Sequence, residues 1–116
     1  MKEVTIYHNP GCGKSRGALE ILRERGIAPV IVEYLKNPVD RASLIRILDL
    51  LPGAASELVR KDKRFKELGL DEGKYQSKED VVALLLQHPE LMERPVVIHE
   101  QRAVIARPSE RVLEVL

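Results

Sequence analysis

Cys12 is the one cysteine of this 116-residue chain, and it stands in the segment Tyr7-His8-Asn9-Pro10-Gly11-Cys12-Gly13-Lys14-Ser15-Arg16. A β-like run precedes the segment and an amphipathic helical pattern follows it. A sulfur at the first turn of a helix meets unpaired backbone N–H groups and the positive end of the macrodipole. Lys14 and Arg16 add two cations close in sequence. All of these effects favour Cys–S⁻ over Cys–SH, so the residue is a candidate nucleophile. The competing reading is a small buried apolar cysteine, which suits a core segment better than a loop of Pro10, Gly11, Gly13, Lys14, Ser15 and Arg16.

Several better-known chemistries fail at named positions. Gly13-Lys14-Ser15 has the tail of a phosphate loop, but the earlier glycine that motif requires falls at His8. A dithiol redox site needs a second cysteine where Ser15 stands, so this chain cannot resolve a mixed disulfide by itself. A phosphatase-type loop of cysteine, five residues and arginine would need arginine at Ala18. His8, His88 and His99 are too scattered for a zinc set with a single thiol. His88, before Pro89, reads as a helix-end histidine, and His99 as a hairpin residue. His8 lies four residues before Cys12, and two readings stay open for it: a charge partner near the sulfur, or a solvent-exposed side chain.

The flanking elements must position the thiol. Val4 to Tyr7 reads as a strand, the residues through Leu22 as a helix ending at Gly26, and Val30 to Tyr34 as a second strand. Such a βαβ unit puts Cys12 at the carboxyl end of the first strand, where open α/β sheets bind ligands. The middle reads as helical. Asp40 is the expected N-cap of a helix through Leu51, a short helix covers Ala54 to Val59, and Ser77 with Asp80 forms a capping box for a helix running to His88. Arg60 to Lys66 is densely basic. Val96–Ile98 and Ala103–Ile105 read as a hairpin, and Pro108-Ser109-Glu110 opens a last helix. The order predicts an α/β fold with a mixed four-stranded sheet flanked by helices, and one domain over residues 1–116 with a helical insertion near 40–90.

Composition sets outer limits. With 19 basic and 18 acidic residues the net charge is +1, so no overall field draws the chain to nucleic acid or to a membrane, and anion binding must be local. Three tyrosines and one phenylalanine give no stacking platform for single strands. No apolar run is long enough to cross a bilayer, and one cysteine forms no internal bridge, so the expected compartment is the reducing cytoplasm.

Five motifs, His8-Asn9-Pro10-x-Cys12-x-x-Ser15-Arg16, Leu58-Val59-Arg60-Lys61, Leu86-Gln87-His88-Pro89, Arg94-Pro95-Val96-Val97 and Arg107-Pro108-Ser109-Glu110, occur in order almost from end to end. Together they resemble the glutaredoxin-coupled arsenate reductases of the ArsC family. The resemblance implies a thioredoxin-like fold with an inserted helical subdomain, a cis bond at Arg94-Pro95, Cys12 as nucleophile, and Arg60, Arg94 and Arg107 around the oxyanion. It implies arsenate as substrate, glutathione as co-substrate, glutaredoxin as partner and no bound cofactor. His8 and Ser15 are expected to support the site, with the Ser15 hydroxyl capping the helix or donating to the sulfur. For each arginine the competing reading is a solvated surface charge. Longer members of the family carry a further carboxyl-terminal tail beyond the segment that ends here at Leu116. Two other functions stand beside the enzyme: a regulator of the same fold that binds RNA polymerase, and a monothiol reductase for another small substrate.

Overall fold

A computed structural model describes residues 3–116, which form two compact units, one from the segment up to Asn37 together with Arg94–Leu116 and the other from Pro38–Glu93. The first unit is built on a four-stranded sheet in the order β2-β1-β3-β4. Strand β1 (Val4–His8) runs parallel to β2 (Val30–Glu33) and antiparallel to β3 (Val96–His99), which pairs in turn with β4 (Arg102–Ile105). Between β1 and β2 lies helix α1 (Gly13–Glu24), so the predicted βαβ unit and mixed sheet are present.

Local sequence explains these elements. Along β1, Val4, Ile6 and His8 are buried in strict alternation, the period of a strand with one face on a core. On α1 the buried residues Ser15, Ala18, Leu19 and Leu22 follow helical spacing and form one stripe. The helix stops where Gly26 takes φ +75°, a left-handed backbone that a side chain would strain, and Ile27 N–H closes on Leu22 O at 3.0 Å. Val4, Ile6, Ala18, Leu22, Val97, Val104, Ala106, Val112 and Val115 make one apolar core. Each large side chain withdrawn from water there contributes about 1.5–3 kcal/mol.

The last element departs from the expected α-helix. Ser109–Val115 is a 3₁₀ helix, and its buried residues Val112 and Val115 stand three apart. A three-residue period stacks both on one side, which a 3.6-residue turn does less well. Arg94–Pro95 is cis, as the resemblance implies, and Arg107–Pro108 is cis as well.

The second unit is helical. Helix α2 (Arg41–Leu50) starts at Asp40, whose carboxylate accepts the Ser43 N–H at 2.8 Å, and α4 (Lys78–Gln87) starts at Ser77, whose hydroxyl accepts the Asp80 N–H at 3.1 Å. Both caps stand at the expected positions. Helix α2 packs on α4, with Leu44, Ile47, Leu48, Val81, Val82, Leu84 and Leu85 buried. The short expected helix is a 3₁₀ turn, Ala55–Leu58. The basic run contains helix α3 (Lys63–Glu67), capped by Asp62 and anchored by buried Phe65. Among the described residues no helix is long and apolar enough to cross a membrane.

Candidate active site

Cys12 is the N-cap of α1, with an extended backbone at φ −103° and ψ 124°. The loop that delivers it is stapled by its own polar groups. Cys12 N–H donates to Asn9 O at 3.0 Å, Gly11 N–H to the Asn9 side-chain oxygen at 2.9 Å, and Arg16 N–H to Cys12 O at 3.0 Å. The N-cap position turns the N–H groups of Lys14 and Ser15 towards the sulfur.

The sheet brings two arginines to the same place. Tyr7 pairs with Val96 and Val96 with Ile105, so the residues just before β3 and just after β4 meet at the carboxyl end of β1. Arg107 Nη1 lies 3.7 Å from Cys12 Sγ and donates to Arg94 O at 3.0 Å, which ties the two arginines together. The Arg94 guanidinium also helps to lower the pKa of the sulfur, while its Nε is buried without a partner among the described residues. Ser109 Oγ donates to Lys14 O at 2.7 Å and fastens the segment after Arg107 to the first turn of α1. Gly17 makes that approach possible, since a Cβ there would stand 2.6 Å from Ser109 Oγ and 3.2 Å from Ser109 Cβ.

These donors decide the state of the thiol. Partial burial pushes the Cys12 pKa up, but the Ser15 N–H, the Arg94 guanidinium, the Lys14 N–H and the Arg107 guanidinium more than offset it, and the pKa falls from 9.0 to about 7. Near neutral pH roughly half of the sulfur is thiolate, against about 1% at the ordinary value. The lowering comes from fixed N–H groups and distant arginines. The side chains of Lys14 and Arg16, which the sequence made the obvious cations, are not among its sources: Lys14 acts through its backbone, and Arg16 Nη1 turns away to Pro10 O at 2.8 Å.

His8 and Ser15 differ from expectation. His8 is neither an exposed side chain nor a charged partner of the sulfur: it is 6% exposed, and burial lowers its pKa, which keeps the ring neutral. The Ser15 hydroxyl neither caps α1 nor meets the sulfur, because Cys12 occupies the N-cap and the hydroxyl is taken by His8 Nδ1 at 2.6 Å and Asn9 N–H at 3.0 Å. The pair instead ties the end of β1 to the first turn of α1. Its spacing of seven residues across a loop matches no periodic signal.

Arg60 belongs to the second unit. Leu58 O accepts the Glu93 N–H at 2.8 Å, Leu91 O accepts the Arg60 N–H at 2.6 Å, and Val59 bridges Met92, so Arg60 and Glu93 are held side by side. The guanidinium donates to Asp62 at 3.0 Å and to Glu93 at 3.3 Å, and it is neither a free surface charge nor an uncommitted anion ligand. His88 closes α4 and lies 3.5 Å from a Glu90 oxygen, while His99 Nδ1 meets Val115 O at 2.8 Å.

The profile of the ArsC family matches residues 7–115. An arsenate reductase of Escherichia coli K12 is 40% identical over 117 aligned residues, covering 100% of this chain and 82% of its own. The uncharacterized protein YfgD of the same strain is 44% identical, covering 99% of this chain and 98% of its own. The solved structure of an arsenate reductase from Vibrio cholerae has a TM-score of 0.88 at 38% identity, covering 99% of this chain and 98% of that one. The expected thioredoxin-like fold is therefore present. Since the family's profile begins at the end of β1, takes in the Cys12 loop and both arginine-bearing ends of the β3–β4 hairpin, and runs to residue 115, the chain belongs to the ArsC family.

Proposed function

We propose that this protein reduces arsenate to arsenite with Cys12 as nucleophile and external thiols as reductant. The observation that carries the reading is a single thiol with a pKa of about 7 among two guanidiniums and two backbone N–H groups. A thiolate attacking an oxyanion brings two negative partners together, and such donors offset that repulsion before and during attack. Guanidinium forks also suit a tetrahedral oxyanion better than the point charge of lysine does.

Cys12–S⁻ attacks arsenic and expels hydroxide, which leaves as water, to give an arsenylated cysteine. Glutathione then attacks, and glutaredoxin completes the transfer. Overall, two thiols become one disulfide, one water forms, and arsenic passes from the +5 to the +3 state. The relatives named arsenate reductase support this substrate, and the lone cysteine supports the need for outside thiols, since the sequence holds no second thiol to resolve the adduct.

The test is arsenate-dependent NADPH consumption in the presence of glutathione, glutaredoxin and glutathione reductase. Turnover is expected from the native chain and none from Cys12→Ser. A folded native chain that consumes no NADPH, or a Cys12→Ser variant that matches it, would refute the reading.

A further inference from the structure

Beside the Cys12 loop, α1 carries a second feature that the thiol chemistry above does not use. A cleft of about 380 Å³ is lined by His8, Pro10, Arg16, Leu19, Glu20 and Arg23, all within the first unit. Its size falls within the roughly 300–1,000 Å³ of sites that hold small molecules. It adjoins the nucleophile's loop. Pro10 and Arg16 flank Cys12 in sequence, the Arg16 guanidinium bonds across to Pro10 O at 2.8 Å, and its Nη2 would stand 3.7 Å from a Cβ on Gly13.

The polar groups of the cleft have a definite sense. Ser15 Oγ accepts the Asn9 N–H, and the hydroxyl proton has one acceptor among the described residues, His8 Nδ1. A buried hydroxyl keeps its proton bonded, so the neutral ring carries its own proton on Nε2. Nε2 has no protein partner among the described residues, and the ring lines the cleft, so His8 presents one N–H donor there. Arg23 and Glu20 likewise have no ion-pair partner among the described residues. Among the lining residues three donors, one of them nine-tenths buried, therefore stand with one carboxylate over an apolar floor of Leu19 and Pro10, while Glu33, the register partner of His8 on β2, is a second carboxylate acting on the ring from outside the lining. Donors in that number suit carboxylates, and the single acid suits an ammonium.

The geometry points to this cleft as the seat of the thiol co-substrate, a small peptide thiol with two carboxylates and one ammonium. The proposal rests on the reading that outside thiols reduce the Cys12 adduct. Arg16, Arg23 and His8 Nε2–H take the carboxylates, Glu20 takes the ammonium, and the loop beside the cleft brings the adduct within reach of the thiol.

The test separates this proposal from the activity itself. S-methylglutathione, which cannot react, is titrated into the full chain and into Arg23→Gln and Glu20→Gln, with binding followed by NMR. The expected result is movement of the His8 ring and Leu19 methyl signals, with affinity about tenfold weaker in Arg23→Gln and weaker also in Glu20→Gln. In the coupled assay Arg23→Gln raises the KM for glutathione about tenfold and moves the KM for arsenate less than twofold. Binding that leaves the His8 and Leu19 signals still, or that is equally tight in both variants, overturns the cleft even if arsenate is turned over. Binding at the cleft without arsenate turnover upholds it and refutes the arsenate reading instead.

Discussion

Replacing Arg94 or Arg107 with glutamine tests the account of the thiolate without any substrate. The Cys12 pKa of about 7, against 9.0 for an ordinary thiol, corresponds to about 2.7 kcal/mol in favour of the charged form. The sulfur is partly exposed, and solvent screens its interactions, so roughly half of that is the usable figure. Four donors share it, the N–H groups of Ser15 and Lys14 and the two guanidiniums, and together they also overcome the opposing effect of burial. Losing one guanidinium therefore raises the pKa by roughly 0.3–0.5, and the thiolate fraction at pH 7 falls from about one half to about 0.3. Losing both brings the pKa towards 8.

Alkylation by iodoacetamide reads this directly, because Cys12 is the one thiol in the chain. The rate follows the thiolate, so it rises with pH through about 7 in the native protein and levels off above it. In each variant the midpoint shifts upward, and lysine at either position gives a smaller shift because it keeps the charge but loses the fork. Midpoints within 0.1 of the native value in both single variants and in the double variant, with circular dichroism unchanged, would refute the assignment of the thiolate to these arginines.

Three further outcomes follow from the same site. Ser15→Ala strips a partner from His8 Nδ1 and from Asn9 N–H, and chemical denaturation should show a loss of about 1–3 kcal/mol. A loss below about 0.5 kcal/mol would mean the pair carries no structural weight. His8 has a pKa lowered by burial, so the unfolded chain takes up its proton first. Stability is complete above the unfolded value of about 6.5 and declines as the pH falls below it through the folded value. His8→Gln should flatten the fall of the melting temperature as the pH drops below about 6.5, and an unchanged slope argues against a buried neutral ring. Gly17→Ala drives a methyl into Ser109 and should cost about 1–3 kcal/mol and raise the Cys12 pKa, whereas Gly53→Ala meets only the mobile carboxylate of Glu57 and should be nearly neutral. Equal melting temperatures for the two variants would contradict the close packing at Gly17.

What the chain discloses as sequence follows from the range of each interaction. Asp40, Ser77 and the Cys12 loop are local, because the side chain and the backbone group it serves lie within three residues, and all three were legible. The strands were legible as short β-rich runs, Val4 to Tyr7 before the Cys12 loop and the two that flank Glu100 in the hairpin. Ser15 misled because serine near a helix start reads as a cap, and nothing in its neighbours tells that a buried imidazole seven residues away takes the hydroxyl first. Arg60 was harder still. Its neighbours Lys61, Lys63 and Arg64 suggest an exposed basic strip, while two carboxylates engage it, Asp62 within the strip and, 33 residues further on, Glu93, which no local pattern announces.

That difference in range also explains why this thiol does not depend on the cations written beside it. An exposed lysine or arginine holds its charge near a neighbour only at the cost of side-chain freedom, and water screens what it gains. A backbone N–H at a helix start is already fixed, and Arg107 is anchored by the Arg94 carbonyl before any ligand arrives. The donors that lower the Cys12 pKa are therefore oriented in advance, which is also the condition for stabilising charge that develops during attack. Such readiness has a local cost. Arg94 keeps its Nε buried with no partner among the described residues, and the sheet register that sets Arg94 at the end of β1 holds it there. A chain shaped for stability alone would place an apolar residue or a paired arginine at that position. That cost is confined to the surroundings of the thiol, and the rest of the first unit packs an apolar core beneath it.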